Sequence, residues 1–196
     1  MTISLALLGL FVAVTFALWR EGLWSSAVML LNTLAAATFA TAWYETVVAF
    51  LLKRGMSSYD YLLDFICIWG LFAILLLALR EISDRVSRTK VRFRKPVEMF
   101  GCPIVAAATA WIVVCFTAAT LHTAAVPRDL IQATPEARMF FGLSPDRRWL
   151  QWVRGSTLHG PFGRPDHAFD EQADFIVRYA TRRKQLEAQP ELRVRR

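Results

Sequence analysis

Two carboxylates stand beside long apolar runs, where charged side chains are scarce. Glu45 directly follows the second of four such runs, and Asp64 directly precedes the third. A carboxylate at membrane depth can hold a cation or pass a proton, because its charge is costly in hydrocarbon unless something binds it. Asp60 and Asp64, four apart, would also share a face near a helix N-terminus, where the macrodipole favours negative charge. Two readings follow: an intramembrane polar site of Glu45 and Asp64, or interfacial carboxylates that settle a helix end. Depth separates them. If the second helix stops at Tyr44, Glu45 is interfacial; if it continues to Leu52, Glu45 lies about 10 Å below the helix end.

The sequence offers no other reactive constellation. His122, His159 and His167 have no metal-ligand spacing with one another or with cysteine. No G-x-S-x-G, P-loop, G-x-G-x-x-G or H-E-x-x-H run occurs. Cys67, Cys102 and Cys115 lie in or at the edge of apolar runs, with none in the polar tail, which argues against a disulfide framework. The expectation is a non-enzymatic protein without cofactor or metal.

The elements that must position Glu45 and Asp64 are four runs free of Asp, Glu, Lys and Arg: Ile3 to Trp19, Ser25 to Tyr44, Phe65 to Leu79 and Met99 to Pro127. A spanning helix needs about 20 mostly apolar residues. The second and fourth runs satisfy that; the first is completed by a snorkelling Arg20, and the third by Tyr61 to Leu63. The N-terminus has no basic region before its apolar stretch and no clear cleavage site before Arg20, so the first run is expected to be a retained helix. The fold class expected is an all-α membrane protein, with four transmembrane helices over residues 1–127 and a polar, partly helical extramembrane tail over 128–196.

A net charge of +7 could suggest nucleic acid, but its placement excludes that partner. Arg80 to Glu98 carries seven basic residues against three acidic ones, beside apolar spans. With four spans, this loop and the Arg20 hairpin share one side, which the positive-inside rule makes cytoplasmic. Both termini are then non-cytoplasmic. Trp19, Trp24, Trp43, Tyr44, Tyr59 and Tyr61 cluster at run ends, as in an aromatic belt.

Small residues suggest which helices meet. Ala36 and Ala40 in the second run, and Ala106 and Ala110 in the fourth, are small-xxx-small pairs that allow close backbone approach. The second and fourth helices should form the central contact, with the Leu- and Phe-rich first and third facing more lipid. Asn32 and Thr33 read as interhelical hydrogen bonders. Pro103 falls in the first turn of the fourth helix, where its missing N–H costs least.

Two further regions are candidates for contact. Arg85, Arg88, Lys90, Arg92, Arg94 and Lys95 form a polybasic juxtamembrane segment, which either attracts anionic lipid headgroups or only fixes topology. In the tail, Pro135 to Phe141 reads as a turn or two of helix. Ser144 offers an N-cap to a helix with Pro145 first, carrying Trp149, Trp152 and Val153 as an apolar stripe. A last helix is expected from Asp170 to Ala188. Helices this short cannot build a core alone, so the stripe should anchor on the membrane surface or on a partner.

From Leu5 to Pro127 the chain resembles the colicin V production protein (CvpA-like) family of inner-membrane proteins. The likeness lies in a tight hairpin carrying Arg20-Glu21, four spans, and a basic loop entering a Gly101-containing fourth span at Lys95 to Ala110. The resemblance implies a bacterial inner-membrane protein linked to toxin production or export and to envelope maintenance, acting through other membrane or envelope proteins or through itself. It carries no catalytic residues over. The alternative is a small ion or proton channel, or a transporter subunit, using Glu45 and Asp64.

Overall fold

The computed structural model describes residues 2–54, 60–87, 93–124, 126, 134, 136–158 and 169–188. These form helices α1 (Thr2–Trp19), α2 (Leu23–Lys53), α3 (Asp60–Val86), α4 (Lys95–Thr120), α5 (Pro145–Leu158) and α6 (Phe175–Ala188). The described residues contain no strand. The first four helices are long and apolar enough to cross a membrane, as in a multi-pass membrane protein.

The alanine pattern does set the packing. Ala36, Ala37, Ala40, Ala106, Ala110 and Ala118 are completely buried. They lie on α2 and α4, which pair centrally; α3 packs on α2 and α1 on α4. Gly101 lets α4 approach closely, since a Cβ there would meet the Leu23 side chain at 3.1 Å. The α1–α2 turn is made by Gly22 at φ +90°, a conformation that disfavours any side chain. Ser26 ties the turn to both neighbours, donating to the Leu18 carbonyl at 2.9 Å and meeting the Cys102 thiol at 3.7 Å. Only 11% of the α1 span is buried against 39% of the α4 span, and Leu5, Val12 and Phe16 stand open on its surface.

Several boundaries differ from expectation. The α4 helix starts at Lys95, so Pro96 takes the first turn and Pro103 is interior, with no N–H to offer one turn back. The α2 helix runs unbroken to Lys53. Its 31 residues span about 46 Å, more than the ~30 Å of hydrocarbon. Residues 140–143 are turns, and Phe140, Phe141 and Gly142 take positive φ in succession, so this stretch does not continue into helix. The last helix starts five residues later than expected, because Asp170 and Ala173 are also left-handed.

The two ends of the bundle are distinct. Trp24 donates to Ser87 at 3.0 Å, joining the start of α2 to the end of α3 at the basic-loop end. The tail helices pack at the opposite end, around the C-terminal half of α2, the last turns of α4 and the first of α3.

Candidate functional site

The last third of α2 and the start of α3 build the site. Tyr44 and Glu45 lie on an uninterrupted helix, Asp64 lies in the second turn of α3, and α6 is laid across both. Arg178 and Arg182 are one turn apart on α6 and so share a face, with Tyr179 beside them. Arg178 Nη2 donates to Glu45 Oε1 at 2.9 Å, and the Tyr44 hydroxyl donates to the same oxygen at 3.0 Å. The hydroxyls of Tyr44 and Tyr179 are 3.0 Å apart. Tyr179 donates to Asp64 Oδ2 at 3.0 Å, and Arg182 Nη1 reaches that oxygen at 2.6 Å.

The two sequence-chosen carboxylates are thus brought together, but through tyrosines and under arginines. Glu45 and Arg178 are about half exposed, whereas the Asp64 side chain is 8% exposed. Each carboxylate already has a guanidinium, so the cluster lacks the uncompensated negative charge that would draw a metal cation from water. Two hydroxyl protons serve three oxygen–oxygen contacts, so one contact of the row is always without a proton. Burial, and then the Asp64 charge, push the Tyr179 hydroxyl above its usual value. Burial pulls the Arg178 guanidinium down, but Glu45, with the two tyrosines, more than reverses this.

Tyr44 is fully buried, so it leaves the aromatic belt; its hydroxyl is needed in the row. Trp19 and Trp43 remain half exposed, as a belt requires. Tyr59 lies outside the described residues.

The tail stripe finds its cover inside this chain. Trp149 is 3% exposed and Val153 fully buried, in one core with Ala36, Ala40, Phe116 and Ile68. The Trp149 indole donates to Thr41 Oγ1 at 3.1 Å and stands edge-on to Phe116 at 5.8 Å. Trp152 sits at the margin, half exposed, with its indole 3.1 Å from Thr38 Oγ1. The helix begins at Pro145 as expected, but Ser144 has φ +47° rather than the extended geometry of an N-cap. Asp146 turns inward instead, its Oδ2 3.1 Å from His122 Nε2, with both side chains buried. Arg183 closes this junction by donating to the His122 carbonyl at 2.7 Å. Asp170 caps α6, accepting from the backbone N–H of Asp174 at 2.9 Å and of Phe175 at 3.1 Å. Burial nonetheless leaves its carboxyl above the usual range.

At the other end, Asn32 reaches Ser83 across α2 and α3 at 3.1 Å, and Thr33 is buried beside it. Arg85 pairs with Glu81 at 2.8 Å on an open surface, and Arg94 and Lys95 start α4 in the open. Arg88, Lys90 and Arg92 lie outside the described residues.

Sequence reasoning missed Arg178, Tyr179, Arg182 and Asp146. The available signal was the spacing of two arginines one turn apart on a short amphipathic helix, in a chain with two unmatched carboxylates at span ends. No protein-family model, curated protein or solved structure matches this chain.

Proposed function

We propose that this chain is a non-catalytic integral protein of the bacterial inner membrane, of the colicin V production type, supporting toxin production or export, or envelope maintenance, through partners. Its tail is a folded platform held against one end of the bundle. The observation that carries this reading is the docking itself: Trp149 and Val153 in the bundle core, and Arg178 and Arg182 on Glu45 and Asp64. A tail held this way presents a fixed outer face, with Arg147, Arg148 and Gln151 exposed on α5 and Lys184 on α6. Fixed surfaces bind with less ordering cost than mobile ones. The basic loop, with Arg85, Arg94 and Lys95, faces the cytoplasm and its anionic headgroups; the tail faces away.

Crosslinking in native membranes, read by mass spectrometry, tests the reading. A reproducible membrane or envelope partner, or a second copy, crosslinked through the α5–α6 face is expected. An isolated monomer overturns it. The tyrosine–carboxylate row supports the alternative of a proton channel or transporter subunit using Glu45 and Asp64. Proton flux in liposomes that disappears in Glu45→Gln with Asp64→Asn would favour that alternative.

A further inference from the structure

The end of the bundle away from the tail holds a cavity that the proposed function does not use. It measures about 640 Å³, lies between α2 and α3, and carries Arg20, Glu21, Arg80 and Asp84 among its lining residues. Two guanidiniums and two carboxylates leave it formally neutral. Their mutual contacts are loose. Arg80 Nη2 lies 3.9 Å from Glu21 Oε1, and Arg80 Nε lies 3.9 Å from Asp84 Oδ2. Hydrogen-bonded ion pairs close to about 2.7–2.9 Å, as the tail-end pairs do at 2.6 and 2.9 Å. The Arg20 guanidinium rests 5.9 Å from the Phe16 ring centre. Donors and acceptors of both signs therefore remain for a ligand.

The lining is mixed. Arg20, Glu21, Arg80 and Asp84 supply charge, Ser25 a hydroxyl, and Val28 and Met29 an apolar wall; the Trp24 indole is bonded to Ser87. Asn32, 8% exposed and about 12 Å along α2 from Trp24, is bonded to Ser83 at 3.1 Å. Charges of both signs beside an apolar wall, at the end of membrane-spanning helices, are what a phospholipid headgroup and the first part of its acyl chain would meet. A purely anionic headgroup would meet Glu21 and Asp84 unfavourably, whereas an ammonium beside the phosphate matches them.

We propose that this cavity binds one zwitterionic phospholipid by its ammonium–phosphate headgroup. Arg20 and Arg80 take the phosphate, and Glu21 and Asp84 take the ammonium. This site uses none of the polybasic segment Arg85, Arg88, Lys90, Arg92, Arg94 and Lys95, whose excess charge attracts anionic headgroups without selecting among them.

Native mass spectrometry of the full-length protein in detergent tests it, with phosphatidylethanolamine, phosphatidylglycerol and soluble phosphoethanolamine as probes. One phosphatidylethanolamine per chain is expected, held more tightly than phosphatidylglycerol and not displaced by equimolar phosphoethanolamine. Arg20→Gln with Arg80→Gln, and separately Glu21→Gln with Asp84→Asn, should each weaken retention about tenfold. Lys53→Gln, at the other end, should leave it unchanged. The single change Asp84→Asn, at a side chain 73% exposed, lowers retention in the same direction without threatening the fold. Equal or tighter phosphatidylglycerol binding overturns the zwitterion assignment. Displacement by phosphoethanolamine overturns the lipid as its source. Retention indifferent to both double variants overturns the site.

Discussion

The two ends of this bundle treat their charges in opposite ways. At the tail end, arginines and carboxylates close to hydrogen-bond distance, tyrosines fill the spaces between them, and an aromatic core lies directly beneath. At the basic-loop end, Arg80 stays 3.9 Å from each acidic neighbour and a cavity opens between α2 and α3. The tail-end ion pairs are closed within the chain, while those around Arg80 stand open. Pairs at hydrogen-bond distance hold one arrangement; pairs 3.9 Å apart leave donors and acceptors exposed.

Removing the aromatic anchor should break the locked end most severely. Trp149→Ser deletes a buried ring from the shared core and the bond it donates to Thr41, which keeps its own bond to the Ala37 carbonyl, at a cost of about 3–5 kcal/mol. Faster proteolysis of the segment after Pro127, with the membrane fragment still inserted, is the expected readout. Trp152→Ser removes a half-exposed ring and should cost under about 1 kcal/mol. Equal sensitivity in the two variants would mean that the stripe docks by a face other than the one described.

The carboxylates should rank by burial. Asp64→Asn removes one charge that Arg182, one-third exposed, pairs with, so we expect about 1–3 kcal/mol, reduced from the fully buried case by solvent screening. Glu45→Gln acts on a half-exposed pair and should cost at most about 1 kcal/mol. Thermal unfolding in detergent gives the order. At the open end, Glu21→Gln should change stability by no more than about 0.5 kcal/mol, which sharpens the contrast between the two ends.

Sidedness has its own test. With the native cysteines replaced, Thr89→Cys should be labelled only from the cytoplasm and Gly160→Cys only from outside. Labelling of both from one side would sink the four-span arrangement, and with it the assignment of the tail's partners to the far compartment.

The helices were legible in the sequence because hydrocarbon imposes a local rule: a run of apolar residues of the right length, read without reference to the rest of the chain. The α2–α4 contact was legible for the same reason, since Ala36, Ala40, Ala106 and Ala110 carry their packing property in their size. The partners at the site were not. Glu45 meets Arg178 across 133 positions and Asp64 meets Arg182 across 118. Nothing in a carboxylate's neighbourhood along the chain names a guanidinium that far away. The tail was expected to need a membrane surface or a partner because its helices are too short to make a core. The bundle itself offers a third cover: Thr38, Thr41, Tyr44 and Glu45 on α2, with Phe116 on α4.

The smallest effect is silent near neutral pH and appears only in alkali. The Tyr179 hydroxyl is held above the ordinary phenol value of about 10, first by burial and then by Asp64. A group whose folded value is raised binds its proton more tightly in the folded chain. Its stabilisation is therefore complete below the unfolded value and is lost as pH rises toward the folded one. Docking of α6 should be unchanged between pH 7 and about 9 and should weaken above about 10, seen as growing protease sensitivity of the tail. Tyr179→Phe removes the ionisable group and two contacts together. It should lower docking somewhat at neutral pH while flattening the alkaline decline. A decline of equal steepness in Tyr179→Phe would assign the alkaline loss to other groups and leave the tyrosine row without a part in holding the tail.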